Sequence, residues 1–591
     1  MTALLRQLLE LHTWRAFDVS NDGRVLAGHD GSGSVQLAEL KDGVVRALTA
    51  LPGSCSGRYL GPDTVVVQHD EGGDENWQLS LLDLDRDMPA GLADLRPLVR
   101  APGVMNTLLD VLPTRVIYST NRRNRVDFDV VVHDVETGAE TLVWDGGGMT
   151  SEVTVSDTGR VAVCVVSDVA MSAWVLLVEP DGSRRELTPR DEPGRHEGLA
   201  WLPDGRLAVT TDRGRDTTAV VYLDVDADSR EIAAEDDVYD VTGWPSPDGT
   251  RLLVETSADG QSRLSLRSST GVTEVELPSA GVCSFPMPAP RWAPDSESAV
   301  LSFSAPGVPA DILLLDGSDG ALRQVADSTE ALDGLTLVEP QSVHIPTGDG
   351  EQVPCFVYRP ASPTGSAVVI IHGGPEGQST RTFNPIVQAL VGEGHTVLVP
   401  NVRGSTGYGR RWYSLDDGPL RLDSVEDLAA LHDFLPSIDV DPTRAALWGG
   451  SYGGYMVLAG LAFQPYRWAA GVDIVGISSL VTFLENTSPY RRAAREREYG
   501  WLATDRAMLE AASPLSRIDD IRAPVLAIHG ANDPRVPLSE AQQLKARLTE
   551  RGVPCELLVY DDEGHGLAKR PNRLDAYPKA LAFLAEHLSA L

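Results

Sequence analysis

The sequence predicts a multidomain chain with an all-β region followed by an α/β region. Three observations carry this reading: a turn-and-strand unit that recurs before residue 330, strands that alternate with helices after Leu337, and a serine set between paired glycines at the end of one such strand. At 591 residues the chain is too long for a single core. With 42% hydrophobic and 23% charged residues the composition is that of a soluble globular protein. No apolar run approaches the roughly 20 residues of a membrane helix. The formal charge of -35 argues against nucleic acid or an anionic membrane as partner. Cys55, Cys164, Cys283, Cys355 and Cys555 are scattered without metal-ligand spacing. Such an odd, sparse set reads as buried thiols in a reducing compartment, hence a cytoplasmic protein.

The first stretch, from Met1 to His12, has apolar residues at helical spacing interrupted by Arg6 and Glu10. That suits an amphipathic helix better than a signal peptide. From residue 18 to 330 short β-rich runs are separated by Asp, Gly, Asn and Ser turns, and one unit recurs: a Pro-Asp-Gly-like turn followed by an apolar strand, as in Pro203-Asp-Gly-Arg-Leu-Ala-Val209. Aligned on Asp22, Asp63, Thr114, Thr158, Asp204, Asp248 and Asp295, the units step by 41, 51, 44, 46, 44 and 47 residues. Further strands such as Val130-Val-Val-His-Asp134 and Ala219-Val-Val-Tyr-Leu-Asp224 lie between the turns. A period in the forties with several strands per unit is the signature of a β-propeller, and seven units predict seven blades. A pair of β-sandwiches would not produce so regular a step. The recurring aspartates read as turn formers, not ligands.

Beyond Leu337, apolar strands are expected at 366–371, 395–400, 469–475, 525–529 and 555–560, with another running into Ser451. Helices are expected at 424–434 and 574–588. Continuous apolar strands alternating with helices predict a parallel sheet covered on both faces. The chemistry of such sheets sits at the carboxyl ends of the strands.

The segment Ala446-Leu-Trp-Gly-Gly-Ser-Tyr-Gly-Gly-Tyr455 reads as a buried strand turning sharply into a helix, with Ser451 at the apex. Glycines are expected at both flanks because the bend leaves no room for side chains. Alone this pattern is weak in a chain with 55 glycines. Serine is a poor nucleophile unless an imidazole takes its proton and a carboxylate holds that imidazole. Downstream, His529-Gly-Ala-Asn-Asp-Pro-Arg-Val-Pro537 places Asp533 after one strand, and Asp561-Asp-Glu-Gly-His-Gly566 places His565 after the next. The order Ser, Asp, His, each just past a strand, is that of an α/β-hydrolase domain. Acyl transfer also needs oxyanion donors. The amide of Tyr452 is one candidate, and the amide of Gly374 in His372-Gly-Gly-Pro375 is the other.

Together with Asn401-Val-Arg-Gly-Ser-Thr-Gly-Tyr-Gly409, these motifs make the whole chain resemble the prolyl oligopeptidase family of serine peptidases, on the acylaminoacyl-peptidase side. The resemblance implies an N-terminal helix (1–17) packing on the hydrolase, a seven-bladed propeller (18–332) and an α/β-hydrolase domain (333–591), with Ser451, Asp533 and His565 as triad. It also implies that Tyr408 either donates its hydroxyl to the oxyanion or only packs. Arg535 would contact the substrate carbonyl upstream of the cleaved bond. Glu75, in Gly73-Asp-Glu-Asn-Trp-Gln78, would pair with that arginine or bind a free substrate amine, unless it is a solvated turn acid. Val475 and Val536 are candidates for the pocket wall, with plain core as the alternative. The paired helical glutamates of the dipeptidyl-peptidase branch are not found before residue 330. The insert at 478–501 is expected to roof the acyl pocket, and its Arg491, Arg492, Arg495 and Arg497 read as a solvated helix face.

The expected activity is cleavage of short peptides or N-terminal (acyl)aminoacyl amides through an acyl-enzyme, with the propeller excluding large substrates. No metal or organic cofactor is implied. The partner is a short peptide or peptide-like amide, and assembly into a homo-oligomer is left open. Two other classes fit the motifs: a carboxylesterase or amidase acting on a small metabolite, and a non-catalytic binding propeller carrying a relic hydrolase.

Overall fold

The computed structural model describes residues 3–332 and 334–589. Met1, Thr2 and the expected boundary residue Asp333 therefore lie outside the described residues, as do Ala590 and Leu591. The chain forms two compact units: Met1–Leu11, Gly72–Asp74 and Leu332–Leu591 in one, His12–Glu71 and Glu75–Ala331 in the other.

The second unit is a seven-bladed β-propeller. Seven four-stranded antiparallel sheets, at 14–47, 55–99, 106–144, 150–186, 196–234, 240–275 and 291–326, are each built from consecutive strands. Every recurring turn read from the sequence joins the first strand of a blade to its second. In the fifth blade the turn at Asp204 links His196–Trp201 to Leu207–Thr211, with Gly205 at φ 89° closing the turn onto Leu202 O at 3.0 Å. The left-handed backbone at that position explains the glycine. Middle strands such as Ala173–Val178 are buried along their length, whereas the fourth strand of the same blade, Arg184–Glu186, is exposed throughout. Seven apolar clusters lie one between each pair of neighbouring blades. The cluster joining the first and last blades packs Trp14, Ala16 and Val25 against Val300 and Ile312. There the Ala16 amide donates to Ser302 Oγ at 2.8 Å. The ring is closed by side-chain packing, because each blade keeps its own four strands.

In the first unit, helix α1 (Ala3–Glu10) buries Leu5, Leu8 and Leu9. An eight-stranded sheet follows: β1 (Gln341–Pro346), β2 (Gln352–Tyr358), β3 (Ala367–Ile371), β4 (Thr396–Pro400), β5 (Ala445–Gly450), β6 (Ala470–Ile474), β7 (Val525–Gly530) and β8 (Cys555–Tyr560). Their order in the sheet is β1-β2-β4-β3-β5-β6-β7-β8. The six strands expected from the sequence pair in parallel, and the structure adds two further strands at one edge. β1 and β2 form a hairpin, and β2 runs antiparallel to β4, while the remaining pairings are parallel. The short turn at 347–351 permits only an antiparallel return, and the polar alternation of β1 hid that strand from a search for apolar runs.

The helices used below are α2 (Pro385–Gly392), α3 (Asp423–Phe434), α4 (Tyr452–Phe463), α5 (Leu480–Asn486), α6 (Pro489–Tyr499) and α7 (Arg570–His587), besides others such as Ser539–Glu550. Alternate strand residues face two separate cores. Val369, Ile371 and Leu447 pack with α3 and α4 on one face. Val368, Ile370, Ala446 and Trp448 pack with α1, α2 and α7 on the other. The period-2 alternation of a doubly covered sheet produces this division. Among the described residues no helix is long and apolar enough to cross a membrane. All five cysteines are free thiols, four buried and Cys555 half-buried.

Candidate active site

Ser451 sits between β5 and α4 with φ 59° and ψ -118°, outside the favoured regions for a non-glycine residue. Its amide donates to Ile474 O at 2.8 Å, which pins the apex to the end of β6. Three of the four flanking glycines are sterically required. A Cβ on Gly449 would strike the Gly453 carbonyl, one on Gly453 the Ile371 carbonyl, and one on Gly454 would come within 2.6 Å of the Gly476 Cα. Gly450 differs, since a Cβ there would meet nothing closer than Ile474 O at 3.9 Å. Val475 follows the pinning carbonyl at φ 47°, a costly conformation for a β-branched residue, and its amide donates to Ile528 O at 2.9 Å.

Asp533 and His565 lie just past β7 and β8. His565 Nδ1 is 2.7 Å from Asp533 Oδ2, and Asp533 Oδ1 accepts the amides of Arg535 at 2.8 Å and Val536 at 3.0 Å. Burial opposes ionisation of Asp533, but His565 and these two amides outweigh it and hold the carboxyl below the usual carboxylate range. The Asp533 loop is fixed from the insert: Thr487 Oγ1 donates to Arg535 O and Ser488 Oγ to Pro534 O, both at 2.7 Å. From below, His529 Nε2 pairs with Val536 O at 2.9 Å, and burial lowers its pKa so that the ring stays neutral.

The loop after β3 packs on the serine turn. A Cβ on Gly373 would lie 3.1 Å from Gly450 O and 3.5 Å from Ser451 Cβ. This loop is laced to the one after β4. His372 Nε2 is 2.8 Å from Ser405 Oγ, the Thr406 amide donates to Gly377 O at 2.9 Å, and Asn401 exchanges bonds with Ser379 through both ends of its amide, at 2.7 and 3.0 Å. Asn401 Nδ2 also donates to Tyr408 Oη at 3.0 Å. Arg403 is buried on Asp427 at 2.7 Å and Asp349 at 2.6 Å. The Asn-Val-Arg-Gly motif is thus the scaffold of the His-Gly-Gly-Pro loop.

A buried ionic network, not foreseen from the sequence, underlies the same site. Arg421 pairs with Asp416 and with Glu498 Oε1, the latter at 3.0 Å, and all three side chains are at most 1% exposed. Its guanidinium lies 4.5 Å from the Tyr499 ring centroid and 5.4 Å from that of Tyr452. The Tyr452 hydroxyl is 3.1 Å from Asp416 Oδ2 and 2.9 Å from Ser424 Oγ. Arg495 on α6 reaches Glu498 Oε2 at 2.9 Å, Glu376 Oε2 at 3.0 Å and the Gly374 carbonyl at 3.4 Å. The solvated face expected for α6 is corrected accordingly. Arg492 is 44% exposed beside Glu496, but Arg495 and Arg497 turn inward at 16% and 9%. Burial, which would raise the Glu376 carboxyl, is outweighed by Arg495 and Arg497, so Glu376 is held low. Burial lifts Asp416 to about 6 and its neighbour Asp417 to about 7. The interleaving of Arg495 with Glu498 at i,i+3 was the available signal.

Of the remaining sequence candidates, Val536 lies in the sheet core at 2% exposure, Val475 is equally enclosed at 3%, and Phe483 of the insert packs edge-on against Tyr499 in that core. Arg535 is half-buried on the Asp533 loop. Glu75 belongs to the propeller unit, at φ 57°, with its amide donating to Asp70 Oδ2 at 3.1 Å.

Residues 381–590 match the family model described as the Prolyl oligopeptidase family. The chain is 27% identical over 570 residues to dipeptidyl aminopeptidase BIII of Pseudoxanthomonas mexicana, covering 89% of this chain and 79% of that one. It is 26% identical over 325 residues to the acylamino-acid-releasing enzyme of Rattus norvegicus, covering 50% and 43%. Among solved structures, a Mycobacterium tuberculosis puromycin-hydrolyzing peptidase superposes with a TM-score of 0.86 at 20% identity, covering 100% of this chain and 96% of that one. The Pyrococcus horikoshii acylaminoacyl peptidase superposes at 0.75 and 17% identity, covering 99% and 97%. At such identities these structures speak for the fold, while the sequence matches show that residues 381–590 resemble the prolyl oligopeptidase family and that the chain is similar to peptidases named for dipeptidyl and acylamino-acid release.

Proposed function

We propose that Ser451, Asp533 and His565 form the catalytic triad of a peptidase that removes short N-terminal units from small peptides. The supporting observation is the 2.7 Å contact of His565 Nδ1 with an ionised Asp533, together with a serine held on a strained turn past a strand of the same sheet. With the Nδ1 proton donated to Asp533, Nε2 is left to accept the Ser451 proton as Oγ attacks the scissile carbonyl. The amides of Tyr452 and Gly374 receive the oxyanion. His565 then returns its proton to the leaving amine, and water attacks the acyl-enzyme by the reverse route. Tyr408 is a packing residue in this reading, its hydroxyl engaged by Asn401.

The unit removed is an aminoacyl or acylaminoacyl group, with Arg535 on the substrate carbonyl and Glu75 as amine anchor, both assigned by motif. Val475 and Val536 back the pocket wall. The propeller restricts entry, so that short peptides are cleaved and folded proteins are not. A dipeptidyl specificity is the second reading, favoured by the 27% identity to dipeptidyl aminopeptidase BIII across most of the chain. Against it, among the described residues of the propeller no α-helix carries a glutamate pair.

The test is kcat/KM on matched fluorogenic amides with free aminoacyl, N-acetyl-aminoacyl and Gly-Pro dipeptidyl groups, plus a butyrate ester and a peptide length series. Each is paired with a Ser451→Ala control. Ser451-dependent turnover of one of the first three is expected. Turnover of the ester alone would replace the peptidase assignment by a carboxylesterase. Turnover that survives Ser451→Ala would remove the triad.

A further inference from the structure

We propose that Arg495 is a positioning residue that sets the geometry of both oxyanion donors through one buried ionic chain. This rests on the reading of the Tyr452 and Gly374 amides as those donors. Gly374 sits at φ 144°, a conformation that glycine adopts with little intrinsic preference, and it has no side chain to anchor it. Its orientation must come from neighbours. Arg495 supplies two holds on the loop: Nη1 on the Gly374 carbonyl at 3.4 Å and Nη2 on Glu376 two residues later at 3.0 Å. The Gly374–Pro375 peptide and the Glu376 side chain are thereby tied to one planar guanidinium.

The same Nη1 donates to Glu498 at 2.9 Å. Glu498 is held in turn by Arg421 at 3.0 Å, Arg421 by Asp416, and Asp416 by the Tyr452 hydroxyl at 3.1 Å. Four ionisable side chains, Arg495, Glu498, Arg421 and Asp416, therefore connect the Gly374 carbonyl to the side chain of Tyr452, the residue whose backbone amide is the second donor. A purely structural ion cluster has no reason to terminate at both donors. Low-dielectric burial makes each link stiff, since displacing any one of them leaves a charge unpaired. Lysine cannot take the place of Arg495, because a single ammonium cannot span three acceptors in a plane as the guanidinium fork does.

The experiment uses the full-length chain with Arg495→Lys and Glu376→Gln, each assayed for kcat and KM on the preferred substrate. Two affinities accompany the kinetics: inhibition by a peptidyl boronic acid, which forms a tetrahedral adduct on Ser451, and binding of intact substrate in a Ser451→Ala background. The expected result is a fall in kcat of about 10- to 100-fold with a matching loss of boronate affinity, while substrate affinity changes by less than about twofold. Unchanged kcat, or parallel losses in boronate and substrate affinity, would overturn the proposal. Thermal unfolding checks each variant. If Arg495→Lys does not fold, Glu376→Gln decides alone, because it keeps the side-chain volume and removes only the charge that Arg495 grips. Failure of the underlying reading looks different: wild-type turnover would then survive Ser451→Ala, or wild type would bind the boronate no better than substrate.

Discussion

The propeller and the hydrolase use the same ion pairs in opposite ways. In the fifth blade Arg206 pairs with Asp204 at 2.8 Å and Glu231 at 2.7 Å, with side chains 32%, 52% and 68% exposed. In the hydrolase Arg421 pairs with Asp416 and Glu498, all essentially without solvent contact. Arginine and carboxylate are common to both sites, so composition cannot tell them apart. Water screens the first set and leaves its members replaceable. Burial turns the second into a framework in which each charge depends on its partner.

The comparison can be broken from its strong end. Arg421→Met should lower unfolding free energy by about 3–5 kcal/mol, because it removes the cation buried on Asp416 and one of the two on Glu498. A shift in urea midpoint no larger than that of a surface variant would show that the network is dispensable. Asp473 tests the reverse case, a buried carboxyl whose Oδ1 has no hydrogen-bond partner among the described residues. Burial raises its pKa to about 7. The folded state then keeps a proton that the unfolded state releases near pH 4, so stability should fall as pH rises from about 4 to about 7 and level off above. Asp473→Asn should remove that slope, with a gain at pH 8 of at most about 4 kcal/mol, read from urea midpoints at pH 5 and pH 8.

Smaller effects sharpen the contrast. Gly453→Ala should cost about 1–3 kcal/mol together with most of the activity, since its Cβ meets the Ile371 carbonyl, which is backbone and cannot swing aside. Gly450→Ala should change stability by less than about 1 kcal/mol, as its Cβ has only an ordinary neighbour at 3.9 Å. Equal midpoints for the two alanines would contradict the steric reading of the turn. At the weak end, Arg206→Ala should cost about 0.2–1 kcal/mol, and less in high salt.

Legibility followed the range of the interaction. The seven turns at Asp22 through Asp295 could be read because each is a local solution to a local bend, repeated at a fixed interval. The serine turn, and Asp533 and His565 just past their strands, could be placed for a related reason: chemistry at the ends of strands leaves a short contiguous mark. Of the β1–β2 hairpin, Gln341–Pro346 has too little apolar content to declare itself. The inward turn of Arg495 was misread because a helix face is judged solvated from charge alone, and the carboxylate that receives it, Glu376, is 119 residues away.

By itself the sequence determined the division into repeated β-units and an alternating α/β region, the order of the hydrolytic motifs, and where glycine is needed. These depend on backbone preference and side-chain period, which act over a few residues. Only the tertiary structure decided which charges are buried, which of the four glycines at the serine turn are indispensable, and that Arg421 and Arg495 join the Tyr452 side chain to the loop of Gly374. Desolvation and close packing are properties of the assembled surroundings, and no residue carries them until the chain has folded around it.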